Sequence, residues 1–413
     1  MSASFGHSGV LSALPRSRSP LKHISGTPGT MARKRSGWIR LGPVLNGSVS
    51  GRYGHSLDVL GGRVYLFGGY AGQYSNDLFS CSPRDGVFSP TLLSGSSPSP
   101  RRGHVSVSFG RRLLIMGGDA GNRCLSDVWV FSPSQEEIIR ETDPIKGAWK
   151  RVTTAGEAPA ARYGHAAVRI NHLVYVYGGA DRYRGTGSVL FNDTYCLDLK
   201  QSRWHRLAIP AAESPSPRYG HSLCQVDGHI LLFGGLGGRG RLGDLWELVG
   251  GQTDTPRWQE LHPRAQHPLP VHALTPLPCP RTEHVAVHVT KRHSMVLVGG
   301  SSGSGPLNDV WEYNVQDNEW VLQPSDVASP QPRHACASVS LTQRGLVLFG
   351  GTATDRRYND LWLFMLADTP EGERERAAVP TSPETDAPAA AAPPQYQSGL
   401  TKHSISTPMH ISR

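Results

Sequence analysis

The sequence predicts an all-β protein made of six copies of one four-stranded unit, and three observations carry that prediction. A double glycine closes a short β-branched and aromatic run in Val64-Tyr65-Leu66-Phe67-Gly68-Gly69. It recurs at Gly117-Gly118, Gly178-Gly179, Gly234-Gly235, Gly299-Gly300 and Gly350-Gly351, with spacings of 49, 61, 56, 65 and 51 residues. A histidine precedes each pair, by 13 residues for His55, His104, His165 and His221 and by 15 and 16 for His284 and His334. After each pair comes an aspartate with an aromatic two residues on: Asp77/Phe79, Asp127/Trp129, Asp193/Tyr195, Asp244/Trp246, Asp309/Trp311 and Asp360/Trp362.

Each element of the unit follows from this pattern. The first strand starts at the histidine, the second ends in the glycine pair, and the third carries the Asp-x-aromatic. The fourth centres on a further aromatic, at Phe88, Trp149, Trp204, Trp258 and Trp320. The 47 glycines and 32 prolines of the 413 residues supply the turns between them. Four short strands make a sheet too small to bury both faces, and six such sheets set radially bury one another, which is a six-bladed β-propeller. The last copy lacks its fourth aromatic, while Trp38-Ile39-Arg40-Leu41 stands unused near the N-terminus. The N-terminal strand is therefore expected to complete the last blade and close the ring. The expected propeller spans residues 37–369. Residues 1–36, basic and Ser-rich, and 370–413, Pro/Ala-rich, are expected to be disordered flanks.

A group needed once for chemistry does not recur six times, so the repeated residues are expected to be architectural. The glycine pairs are expected to supply positive φ or close approach where one strand hands over to the next. The aspartates, short acceptors beside turns, are expected to take loose backbone N–H groups. The arginines three residues before the histidines (Arg52, Arg101, Arg162, Arg218 and Arg281) and the histidines themselves are expected to hydrogen-bond between strands or blades. In the sixth copy Arg333 stands directly before His334.

Composition narrows the function classes. The six cysteines lie tens of residues apart without a C-x-x-C pair, which argues against a disulfide framework and a zinc site. No apolar run is long enough for a membrane span, and no secretory core is present near the start. Of the net charge of +9, residues 1–36 carry +6 and 370–413 carry −1, which leaves +4 for the body. That balance argues against a nucleic-acid binder. His262, His267 and His272, in a Pro-rich loop, share no face of a regular element and are not expected to hold a metal. No cofactor or metal is expected.

The Gly-Gly pair, the Asp-x-aromatic and the downstream tryptophan resemble the kelch repeat, in six copies from residue 38 to about 366. The Arg-Tyr-Gly-His wording and the Pro98-Ser-Pro-Arg101, Pro215-Ser-Pro-Arg218 and Pro330-Gln-Pro-Arg333 runs are similar to kelch proteins of the Rab-effector, cell-polarity and host-cell-factor type. The chain looks less like the BTB-containing type, and no BTB domain is expected. The resemblance implies a non-enzymatic scaffold or adaptor. Its expected partners are small GTPases, cytoskeletal or polarity factors and ubiquitin-ligase components. The alternative it implies is a kelch-type enzyme with a metal or small-molecule site in the channel. Against it, the E-x-x-x-D-x-x-x-H run of iron-dependent specifier proteins is missing, since Glu260 is followed four residues on by Arg264.

Antiparallel alternation brings the residues after each glycine pair beside those around each Arg-x-x-His, on one propeller face. There Arg123, Arg182, Arg184, Arg239, Arg241, Arg356 and Arg357 outnumber Asp119, Asp181 and Asp355. Tyr53, Tyr70, Arg102, Tyr163, Arg182, Arg184, Tyr219, Arg239, Arg241 and Arg356 are the expected partner-binding residues, with Tyr74 and Tyr183 nearby. Arginine and tyrosine are enriched at binding hot spots, and arginine's fork suits an acidic or C-terminal peptide. The insertion Ala180–Asn192 belongs to this face, where Val189-Leu190-Phe191 either caps the channel or packs down. The acidic stretch 132–148 belongs to the opposite face. A cytoplasmic location is expected, with a nuclear one, or a mitochondrial presequence in residues 1–36, left open.

Overall fold

Every blade starts one residue after its repeat histidine or the residue that replaces it, because the β-branched and apolar runs that follow alternate between two neighbouring blades. The computed structural model describes residues 36–42, 49–134, 145–184, 187–251, 255–265, 277–324 and 328–367. From the axis outward, blade 1 is Ser56–Leu60, Arg63–Tyr70, Tyr74–Cys81 and Phe88–Pro90, and blade 2 is Val105–Phe109, Arg112–Asp119, Cys124–Pro133 and Lys146–Val152. Blade 3 is Ala166–Ile170, Leu173–Tyr177, Thr194–Asp198 and Arg203–Arg206, and blade 4 is Ser222–Val226, His229–Gly237, Gly240–Val249 and Arg257–Leu261. Blade 5 is Val285–Val289, Ser294–Ser302, Gly305–Asn314 and Glu319–Leu322. Blade 6 is Ala337–Thr342, Gly345–Phe349, Leu361–Met365 and, from the N-terminus, Gly37–Leu41. Each inner strand touches the inner strands of both neighbours, and that of blade 6 touches that of blade 1. Among the described residues the core is accordingly six apolar clusters, one between each pair of adjacent blades.

The closing strand occupies the expected place. Trp38 lies opposite Phe364, four residues past the repeat aspartate, the register Trp149 takes with Phe131 and Trp320 with Tyr313. Its ring packs on Phe364 at 4.9 Å and edge-on to Trp362 at 6.4 Å.

Three expectations are corrected. The glycine pairs are not handover points in blades 1, 2, 4 and 5, where the second strand runs through them with a shift of register, a β-bulge. Both glycines hold positive φ, 66° and 94° at Gly68 and Gly69, and a Cβ on Gly69 would stand 2.8 Å from the Cβ of His55. The aspartates serve side chains. Asp244 takes both Nη1 and Nη2 of Arg218, at 2.6 and 2.8 Å, and the indole N–H of Trp246 at 2.7 Å. The same fork joins Arg52–Asp77, Arg101–Asp127, Arg162–Asp193, Arg281–Asp309 and Arg333–Asp360. Nη1 of each arginine also donates to the carbonyl of the first glycine of its pair. One buried guanidinium thus ties the first, second and third strands of a blade together. Third, the histidine of blade 6 is not His334. Cys336 takes its place against Gly351, as His55 does against Gly69, and Arg333 keeps the arginine site.

The other histidines face the preceding blade. The rings of His55, His104, His221 and His284 pack on Phe349, Phe67, Tyr177 and Phe233. His104 and His284 also hydrogen-bond Ser56 and Ser222 across the blade boundary, at 3.0 and 2.9 Å. The late spacing of His284 comes from a 3-10 turn at Thr290–Arg292. In blades 2, 3 and 5 the incoming chain adds a short parallel edge strand (Leu92–Ser94, Ala155–Gly156 and Arg264–Ala265) that covers the outer edge.

Candidate functional site: the face framed by a ring of backbone amides

The face that the strand directions predict is built around a feature no single repeat contains. Gly54, Gly103, Gly164, Gly220, Glu283 and Ala335, each two residues after a repeat arginine, form a closed circle of backbone hydrogen bonds. Each N–H donates to the carbonyl of the preceding member at 2.7–2.8 Å, and Gly54 donates to Ala335 to close the ring. All six residues have positive φ, from 51° at Ala335 to 65° at Gly54. The circle couples all six blades at the mouth of the channel. Each residue just before a ring member pairs with the one just past the glycines, as in Tyr53 with Tyr70, Arg102 with Asp119, Tyr163 with Ala180, Tyr219 with Leu236 and His334 with Thr352. The mouth is therefore lined by Tyr53, Arg102, Tyr163, Tyr219, Thr282 and His334.

Blades 1 to 3 carry six of the ten expected site residues, and two of them, Arg102 and Arg182, meet one buried carboxylate. Asp119, whose side chain is 0% exposed, meets Arg182 Nη2 at 2.7 Å and Arg102 Nε at 3.3 Å. It also accepts from the hydroxyls of Tyr183 at 2.7 Å and Tyr74 at 3.0 Å and from the Gly121 amide at 2.8 Å. Burial alone would raise this carboxyl, but the amide, the two phenols and Arg182 outweigh it and hold Asp119 below the usual carboxylate range. Arg102 donates to the Tyr53 hydroxyl at 2.8 Å and lies over the rings of Tyr53, Tyr70 and Tyr74. The Tyr163 ring packs against that of Tyr219, tilted with centroids 5.6 Å apart, and burial followed by that neighbour pushes its hydroxyl up to about 12.

Arg102 and Arg182 are thus committed to Asp119, so of the cations counted on this face Arg182 is offset by an acid counted with it. Arg184 pairs with Asp181 at 3.2 Å, and Arg241 donates to the carbonyl and hydroxyl of Ser301 at 3.0 and 3.2 Å. Arg239 and Arg356 are exposed and make no ion pair among the described residues. Arg356 lies over the Tyr358 ring at 5.3 Å. In the blade 3 insertion, Ala180–Asp181 pairs with Val189–Leu190 as a small hairpin. Phe191 packs 4.1 Å from the Arg162 guanidinium, so it packs down. Most of the acidic stretch on the opposite face, and His267 and His272, lie outside the described residues. Among the described residues no group of three or more His, Cys, Asp or Glu is placed to hold a metal.

Sequence reasoning missed the amide circle, Asp119 as a hub, and His334 as a mouth residue paired with Glu283. The signal for the first was present: a glycine two residues after the arginine in four copies, with Glu283 and Ala335 in the other two.

Comparison with known proteins agrees with this architecture. The profile of the "KLHDC2/KLHL20/DRC7 Kelch-repeats domain" matches residues 34–138, 134–276 and 271–369. Tip elongation aberrant protein 1 of Schizosaccharomyces pombe is 34% identical over 236 residues, 54% of this chain and 18% of its own length. Kelch domain-containing protein 10 of Homo sapiens is 26% identical over 304 residues, 70% of this chain and 64% of that protein. Acyl-CoA-binding domain-containing protein 4 of Arabidopsis thaliana is 26% identical over 334 residues, 75% of this chain and 44% of that protein. The chain thus spans less than two thirds of the length of these relatives. With six repeats, the blade geometry and the profile in agreement from end to end of the ring, the chain belongs to the kelch-repeat β-propeller family.

Proposed function

We propose that this propeller is a non-enzymatic protein-binding module that takes a partner segment on the Arg/Tyr face. The kelch propeller is a fold typical of protein-interaction scaffolds. The observation that carries the reading is that the amide circle holds tyrosines at the mouth while Arg239 and Arg356 stand exposed on the outer loops. Aromatic anchors on a rigid platform cost little side-chain entropy on binding, and the unpaired guanidinium forks suit an acidic or C-terminal peptide. Small GTPases, cytoskeletal or polarity factors and ubiquitin-ligase components are the partner classes the family suggests, in the cytoplasm. The name of the fission-yeast relative, which concerns tip elongation, fits the polarity class.

The test is affinity enrichment with wild type beside an Arg239→Glu, Arg356→Glu double variant. Arg182 is left intact because its loss would take the nearer of two guanidiniums from the buried Asp119 carboxylate. Partners retained by wild type and lost by the variant, at an unchanged melting temperature, support the reading. A set of partners identical for the two proteins moves the site off this face.

A further inference from the structure

Blades 4 to 6 carry a charge order that blades 1 to 3 lack. The hairpin tip of blade 4 presents Arg239 and that of blade 6 presents Arg356 and Arg357 beside Asp355, all exposed and each tip net cationic, while the blade 5 loop between them reads Ser301-Ser302-Gly303-Ser304 and carries no charge. At the mouth, on blade 5, stands Glu283, 37% exposed. Its Oε2 meets His334 Nδ1 at 2.6 Å, and among the described residues no hydrogen bond reaches its Oε1. It also lies close enough to Tyr219 that, after burial, it is what raises that hydroxyl, with Arg241 opposing it. Read around the face, the order is cation, carboxylate, cation.

Glu283 holds its place against a backbone preference. It occupies a circle position where four of six members are glycine, at φ 54°, a left-handed conformation that costs a side chain free energy. A glutamate kept there points to something the carboxylate does. Of the other acids of this face, Asp119 has a fully buried side chain saturated by two arginines, two phenols and an amide, Asp181 is buried and paired with Arg184, and Asp355 stands at the blade 6 tip beside Arg356 and Arg357, away from the mouth.

We propose that Glu283 is the specificity determinant of this face: it receives the side-chain cation of an arginine or lysine that the partner segment carries between acidic residues. Those flanking acids go to the arginines of blades 4 and 6. The inference rests on the proposed function and adds to it the polarity of the partner. The charge order of the ligand is the complement of that of the protein. His334 then acts as a positioning residue, holding the Glu283 carboxylate at the mouth until the ligand's cation reaches its free oxygen.

The experiment is fluorescence polarisation at low salt with the full chain and two synthetic peptides. Both are acetylated and amidated, with glutamates toward each end, and they differ only at the centre, arginine in one and glutamine in the other. Wild type is expected to bind the arginine peptide about tenfold more tightly, the scale of one charge-assisted hydrogen bond. Glu283→Gln is expected to abolish the difference and leave the glutamine peptide's affinity intact. Glu283→Gly, which relieves the backbone conformation, is expected to abolish the difference while melting no lower than Glu283→Gln. Equal binding of the two peptides by wild type overturns the inference and leaves the proposed function standing. So does a Glu283→Gln loss that is the same for both peptides, which would mean the residue only shapes the mouth. Failure of wild type to bind either peptide overturns the acidic-partner reading and this inference with it.

Discussion

Replacing Trp38 by alanine tests whether the ring is one cooperative body closed by its N-terminal strand. Trp38 is 5% exposed and belongs to the cluster between blades 5 and 6, with Val296, Val298, Leu346, Leu348 and Phe364. A buried indole removes roughly 150–250 Å² from water, worth about 4–6 kcal/mol at roughly 25 cal/mol/Å². Truncation of buried aromatics costs about 3–5 kcal/mol, so about 4 kcal/mol is the expected loss. With an unfolding entropy of roughly 0.7 kcal/mol/K for a ring of this size, the melting temperature should fall by about 6 °C. The assay is thermal and guanidinium unfolding followed by circular dichroism, with Trp149→Ala as the reference. Trp149 is equally buried in the matching register of blade 2, on a strand held by chain on both sides. If Trp149→Ala costs about 4 kcal/mol and Trp38→Ala costs less than about 1 kcal/mol, the closing strand frays apart from the rest and the cooperative-ring argument fails.

Three further outcomes follow from the geometry. Burial, and then the charge of the neighbouring arginine, lowers His55, His165 and His284 to about 3, and His104 and His221 well below 6.5. The unfolded chain protonates these groups and the folded one does not, so their contribution is complete above pH 6.5 and is lost as pH falls toward 3. Guanidinium midpoints should drop from pH 7 to 4.5, and His165→Gln should flatten that slope by about one proton, roughly 1.4 kcal/mol per pH unit; a flat profile would refute the burial argument. Burial would raise Asp127, Asp244 and Asp360, but their arginines outweigh it and hold them low. Their contribution is present above about pH 4 and goes as pH falls through the lowered values, so Asp244→Asn should remove part of the steep loss in strong acid. At the amide circle, Ala335→Gly should stabilise the fold by about 0.5–1 kcal/mol, because alanine there holds φ 51°. Gly179→Ala should do the reverse and cost several times that, since its Cβ would stand 2.8 Å from His165 Cβ and 3.0 Å from the Tyr163 carbonyl; similar melting temperatures for the two would show that the positive φ constrains neither site.

The sequence by itself determined the repeat count, the strand order and the closure. Those depend on pairings along short stretches: alternation within a strand, a glycine pair at a bulge, and a tryptophan in fixed register with its aspartate, with Trp38 as the spare copy. It also put the residues after each glycine pair beside those around each repeat arginine, because antiparallel strands alternate direction. What only the tertiary structure decided is what the side chains on that face do. Arg102 and Arg182 look like free cations in the sequence and are consumed by Asp119, because loops of blades 1, 2 and 3, as many as 108 residues apart in Arg182 and Tyr74, converge on it. His334 reads as the sixth repeat histidine in the sequence, yet it stands one residue after Arg333, and the position three after that arginine, histidine in the other blades, is Cys336, which leaves His334 to Glu283. The amide circle needs one residue from each of six blades, and no local pattern records a hydrogen bond between residues about 50 positions apart, such as Gly54 and Gly103. Hydrophobic periodicity is a local property and survives in the chain. Charge pairing and the amide circle are properties of where six loops meet, and exist only after the blades have packed.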